Sequence, residues 1–242
     1  MVITYNTITM NGGLIMVLKI LLISLAGLAV DVWFIKTEYA GKMAKATLLK
    51  GIASFFFVVL GIVCYAAQKT DFGRLVLIGL ILGLVGDVFL NLRNQLTGGK
   101  SMKIFAVGIL AFLSGHFLYI AALIGRSPAI ILPALIAMAV ISALAIPPLM
   151  KRITAPSAGL KIFGYVYLVV VIAMFSCAAA LLVTLGAGAL TLVFTLGALL
   201  FVVSDFIMIY YSFGKKIKPL RAINLLCYYV GQLMIAVCIL LA

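Results

Sequence analysis

Of 242 residues, 67% are hydrophobic and only 10% charged, with a mean hydropathy of +1.36, which leaves too little polar surface to cover a water-soluble globule. The formal charge of +13 would suit a nucleic-acid partner. The basic residues, however, are scattered between apolar runs and form no single patch or recognised binding motif, so no nucleic-acid partner is expected.

A helix rising about 1.5 Å per residue needs about 20 apolar residues to cross a hydrocarbon core of about 30 Å. Eight windows of this kind follow one another, at 14–35, 46–67, 73–92, 104–124, 129–150, 162–185, 189–211 and 223–241. A strand barrel would show polar and apolar alternation, which runs such as SFFFVVLGIV and AIILPALIAMAVISALAI lack. The expected fold is all-α, a polytopic membrane bundle of eight transmembrane helices forming a single domain over 14–242, behind a polar N-terminal extension at 1–13. The leader MVITYNTITMNGG has no basic residue before the apolar run, and that run is too long for a signal-peptide core, so it reads as a first span. Met16 offers a second start.

Taken along the chain, the spans carry few polar residues. The first holds Lys19 and Asp31, which read as interfacial. The second aligns Thr47, Lys50 and Ser54 on one face, and the third aligns Gly83, Asp87 and Asn91 at four-residue steps. The fourth brings His116 and Tyr119 together, and the sixth opens with Tyr165 and Tyr167. The seventh places Asp205 after Ser204, with Gly197 and Ala198 two turns back. The eighth aligns Asn224, Tyr228 and Gln232 with Tyr229 beside them. Tyr39, Tyr210 and Tyr211 read as interface-belt aromatics, and Cys64, Cys177, Cys227 and Cys238 as small buried hydrophobes without metal-ligand spacing.

Orientation follows from the connections. Lys36, Lys42 and Lys45, then Arg93, Lys100 and Lys103, then Lys151, Arg152 and Lys161, then Lys215, Lys216, Lys218 and Arg221 fall in alternate loops. The other side holds only Lys69, Arg74 and Arg126. The positive-inside rule therefore puts the basic loops in the cytoplasm and both termini outside. With that topology Asp87, Asp205, Lys50, Tyr165, Tyr167 and Tyr228 map to the inner part of the bundle, and His116 and Gln232 to mid-depth. Intramembrane ionisable groups are costly and ordinarily have a partner or a task. The expected result is one polar cavity open toward the cytoplasmic leaflet, in which one lysine cannot neutralise two aspartates.

At these residues the sequence resembles the YhhN family of integral membrane lysoplasmalogenases. The matching elements are GDVFLNL at 86–92, GHFLYI at 115–120, GALLFVVSDFIM at 197–208 and YYVGQLMIA at 228–236, in the family's order and within the same eight-span layout. In the family the polar residue of the second span often stands as Lys-Pro. Here Lys50 is followed by Gly51, which keeps Lys45 as an alternative.

The resemblance implies hydrolysis of the vinyl ether bond of a lysophospholipid substrate, a lysoplasmalogen, giving a fatty aldehyde and glycerophospho-ethanolamine or glycerophosphocholine, in a bacterial inner membrane. That chemistry calls for a carboxylic acid, a carboxylate and no metal or cofactor. Paired buried aspartates can supply both forms. On this reading Asp87 and Asp205 are catalytic, with their order open. Tyr228, Gln232 and His116 position water and polar lipid atoms, with Asn91, Tyr119 and Tyr165 also in the substrate-binding set, and Lys50 pairs with the phosphate. The competing reading from the residues is a small proton-coupled transporter using the same two acids. No Walker loop, dinucleotide fingerprint, HExxH or GxSxG supports other chemistries.

Overall fold

The computed structural model describes residues 2–154 and 158–242, with side-chain environments given for 12–154 and 161–242. Among them lie eight long helices and no strand: α1 (Val2–Tyr39), α2 (Met43–Ala67), α3 (Asp71–Leu92), α4 (Gly98–Arg126), α5 (Ile131–Met150), α6 (Ala158–Leu185), α7 (Ala189–Phe213) and α8 (Lys218–Leu241). Each is long and apolar enough to cross a bilayer, and each coincides with one predicted window to within a few residues at its core. The chain is an integral multi-pass membrane protein. Most of the polar extension foreseen at 1–13, residues 1–11, lies outside the residues whose side chains are described.

The connections are short because the helices end on local signals. Gly41 closes the α1–α2 turn at a φ of 74°, a conformation that costs glycine little. Thr70 caps α3 by accepting the Gly73 N–H at 3.0 Å. A turn of 3₁₀ helix, Arg93–Gln95, carries α3 toward α4, and Gln95 donates to the Thr47 hydroxyl at 2.7 Å, tying this turn to α2.

Six helices pack in a ring, α2–α3–α4–α6–α7–α8 and back to α2, with α3 also touching α8 across the middle. Outside the ring, α1 lies along α2 and α8, and α5 along α6. Leu14, Leu18, Leu21, Leu22 and Leu25 of α1, and Leu132, Leu135, Ile136 and Leu144 of α5, remain exposed. That is the expected dressing of a surface meeting acyl chains, whereas Ser54, Asp87, Asn91, His116, Asp205 and Gln232 are buried within the bundle.

Lipid gives no hydrophobic reward for burying apolar faces, so close helix packing must come from shape. The α7–α8 crossing shows how: a Cβ on Gly197 would lie 3.0 Å from the Gly231 carbonyl oxygen, and one on Gly231 would lie 2.8 Å from the Gly197 carbonyl oxygen. Gly231→Leu would force the two backbones apart, which carries Asp205 on α7 away from Tyr228 on α8. The expected cost is about 3 kcal/mol or more, since backbone rather than a flexible side chain must move. Gly125→Ala, whose new Cβ meets nothing within 4 Å, is the matched control. Thermal unfolding in detergent should separate the two variants clearly.

Candidate active site

Between the ring helices lies a cavity of about 600 Å³. Asp87 of α3, Lys50 of α2, Tyr167 of α6, Asp205 of α7 and Tyr228 of α8 line its inner part. Its rim is built from the α1–α2, α3–α4 and α7–α8 connections, through Tyr39, Met43, Arg93, Asn94, Lys216 and Lys218. The cavity therefore opens at the end of the bundle that carries the basic loops. Its walls between rim and acids are largely apolar, including Phe105, Ile109, Phe112, Phe163, Met208 and Leu225.

Asp87 is only 2% exposed and is held by three donors. The Lys50 ammonium lies 3.0 Å from Oδ1, while the Ser54 hydroxyl at 2.6 Å and the Tyr228 hydroxyl at 2.7 Å both donate to Oδ2. Further groups brace these donors. Tyr119 donates to the Gln232 carbonyl oxygen at 3.1 Å, and Gln232 donates to the Tyr228 oxygen at 3.4 Å. Tyr229 meets the Ser54 hydroxyl at 3.1 Å and the Lys50 carbonyl at 3.3 Å. A cation and two hydroxyl hydrogens thus converge on one carboxyl group as a cage of donors.

Asp205 has a different setting. It is 3% exposed and accepts one hydrogen bond, from the Tyr167 hydroxyl at 2.8 Å. Among the described residues no cation pairs with it. One carboxyl is thus matched by a full positive charge and the other is not. The expectation that a single lysine serves only one of the two acids holds, and Asp87 is the one it serves.

The structure redistributes several predicted residues. Tyr165 is 43% exposed and points out of the bundle, whereas Tyr167, 5% exposed, reaches Asp205. The assignment of Tyr165 is therefore corrected to Tyr167: two positions rotate a helix by more than half a turn, and α6 is too uniformly apolar for its sequence to reveal its phase. Lys50 does not stand free for a phosphate, because its ammonium is taken by Asp87. Lys45, the alternative, lies over the Trp33 ring at 4.9 Å from its centroid, away from the cavity lining.

His116, Tyr119 and Gln232 are buried behind the cavity wall and do not line it. The His116 and Tyr119 rings meet edge-to-face at 6.1 Å without a hydrogen bond, and His116 Nδ1 pairs instead with the Phe112 carbonyl at 2.7 Å. Asn91 does line the cavity, and its side-chain N–H₂ has no partner. Asp31, expected at the interface, is fully buried with both carboxyl oxygens unpartnered. Tyr39 and Tyr211, expected in an interface belt, line the cavity mouth.

Two features were not singled out from sequence at all. Glu38 and Arg221 form a two-pronged pair, Nε to Oε2 and Nη2 to Oε1, both at 2.9 Å, linking α1 to α8. Arg221 Nη1 also donates to Asn224 at 2.9 Å, and Asn224 in turn donates to the Ser204 carbonyl at 2.7 Å, next to Asp205. The only available signal was Asn224 at one helical step from Arg221.

The sequence model of the YhhN family matches residues 43–239, nearly the whole chain. The protein belongs to the YhhN family. The match covers α2 to α8, and so every residue of the Asp87 cage together with Asp205 and Tyr167, while α1 lies before it. No curated protein and no solved structure matches the chain.

Proposed function

We propose that this YhhN protein is a membrane hydrolase that cleaves the vinyl ether bond of lysoplasmalogens. The observation that carries the reading is the asymmetry of the two aspartates on one cavity: Asp87 caged by Lys50, Ser54 and Tyr228, and Asp205 meeting only a phenol. Vinyl ether hydrolysis needs that division, a carboxylate beside a proton-bearing acid, held away from bulk water.

The roles follow from the two settings. Asp205, protonated, delivers its proton to the β-carbon of the vinyl ether, leaving an oxocarbenium ion whose charge the Asp87 carboxylate stabilises. Water adds to the carbon next to oxygen and gives its proton to Asp87. The hemiacetal then collapses: its hydroxyl proton passes to Asp205, and the departing glycerol oxygen takes the proton from Asp87. The C–O bond breaks to release a fatty aldehyde and the glycerophospho-headgroup compound, and both carboxyl groups regain their starting forms. Tyr167 holds Asp205 in place and Tyr228 holds Asp87. Buried behind the wall, Gln232 and Tyr119 act through Tyr228 and do not contact the lipid.

The same reading places the basic loops and the cavity mouth in the cytoplasm, both termini outside, and the substrate in the inner leaflet of a bacterial cell membrane. The apolar wall of Phe105, Ile109, Phe112 and Phe163 would accompany the alkenyl chain. Purified protein incubated with an alkenyl lysophosphoethanolamine should release free aldehyde, and the saturated ether analogue should release none. Proton flux in liposomes without any aldehyde would transfer the two acids to transport instead.

A further inference from the structure

The chain has five acidic residues, and the structure accounts for each. Asp71 pairs with Arg74, Glu38 with Arg221 and Asp87 with Lys50, while Asp31 and Asp205 are buried without a cation. No acidic side chain pairs with Arg93, Lys216 or Lys218, yet all three line the cavity at its mouth. Arg221 lines it too, but its guanidinium is spent on Glu38 and Asn224. The surplus positive charge of the cavity is therefore concentrated at its rim, while its depth holds the acids.

Two further observations give this rim the form of a site. The Arg93 guanidinium does not hang free but lies over the Phe105 ring, 4.3 Å from the centroid, which fixes its position beside the cavity. Just inside it, Asn91, 3% exposed, borders the same space, and its side-chain N–H₂, itself shielded from solvent, has no partner in the protein. A buried donor left unmatched by protein calls for a partner, and a guest in the adjoining cavity can supply one.

We infer that Arg93, Lys216 and Lys218, together with the amide of Asn91, form a seat for the phosphate of a lipid headgroup. The identity of the lipid rests on the hydrolase reading above; the seat replaces the role once expected of Lys50. Spacing supports it. Asp87 and Arg93 are six positions apart along nearly continuous helix, about 9 Å at 1.5 Å per residue. From the phosphorus of a glycerophospholipid to the β-carbon of its vinyl ether is seven bonds, roughly 8–9 Å when extended. A phosphate held at Arg93 brings the reacting carbon to the level of the aspartates. Arginine supplies two parallel N–H donors that suit phosphate oxygens, and the lysines add mobile positive charge at the rim.

The test is binding, measured without turnover. A saturated ether lysophosphoethanolamine and an uncharged alkylglycerol of equal chain length are titrated into full-length protein in neutral detergent. In Arg93→Gln/Lys216→Gln/Lys218→Gln, affinity for the phosphate-bearing ligand should fall about tenfold or more while that for the alkylglycerol stays. Arg93→Lys, with both rim lysines kept, should weaken binding of the phosphate-bearing ligand less than the triple variant does. Lys100→Gln/Lys103→Gln, two basic residues outside the cavity lining, should change neither.

An unchanged affinity for the phosphate ligand in the triple variant, or an equal loss for both ligands, would overturn the proposal. Stronger competition by inorganic phosphate than by glycerophosphoethanolamine would assign the seat to a free anion and overturn the headgroup assignment. Aldehyde release by the unaltered protein is read separately. Its absence, with the affinity pattern intact, would end the hydrolase reading and leave the phosphate seat standing.

Discussion

Asp205→Asn is expected to lower aldehyde release by about a thousandfold, within the range of about 10²–10⁴ that a positioned acid contributes. The amide has nearly the same shape, and its oxygen can still accept the Tyr167 hydroxyl, so the variant should fold and bind lipid normally. What it cannot do is surrender a proton to carbon. Asp87→Asn should be equally damaging for a different reason: the amide carries no charge with which to stabilise the oxocarbenium ion, and it no longer answers Lys50. Aldehyde assays would check both, on Asp205→Asn protein with an unchanged melting profile and on Asp87→Asn protein held below its own lowered melting temperature, since that variant strands the buried Lys50 ammonium. A folded Asp205→Asn protein retaining a tenth or more of the turnover would remove that residue from the proton-transfer step.

The second large effect is on stability. Lys50→Met deletes the cation that matches Asp87 while leaving the carboxyl 2% exposed, with Ser54 and Tyr228 as its remaining donors. Removing one member of a buried ion pair typically costs about 3–5 kcal/mol, because the abandoned charge cannot return to water. The melting temperature in detergent should drop sharply. Adding Asp87→Asn to Lys50→Met should restore most of it, since the uncompensated charge is then gone, and should restore no aldehyde release. A non-additive cycle of this kind separates the structural work of the lysine from the chemical work of the aspartate. If Lys50→Met melts like the parent, the pair contributes nothing to holding α2 against α3.

Much of the architecture could be read before any coordinates, because insertion into lipid writes its requirement into long apolar windows. The same medium made the two aspartates conspicuous, and their appearance on one cavity follows from the polar stripes of α3 and α7. What escaped was side-chain direction on helices with no polar stripe. On α6, Tyr165 and Tyr167 are chemically equal candidates, and only packing of Leu168, Val171 and Leu181 against the ring shows which one turns inward. Pairings across distant segments escaped as well. Lys50 satisfied the requirement for a cation, but whether it served a phosphate or an aspartate depended on the approach of α2 to α3. The Glu38–Arg221 fork joins residues from opposite ends of the chain, and no local pattern announces it.

That fork lies partly outside the family match, which begins at Met43, just past Glu38. Replacing the first helix of this chain with an unrelated one would leave the acids and their braces in place yet set Arg221 loose at the aperture, adding a fourth unclaimed guanidinium or ammonium there. Such a graft would then retune attraction for anionic guests without altering a single reacting atom.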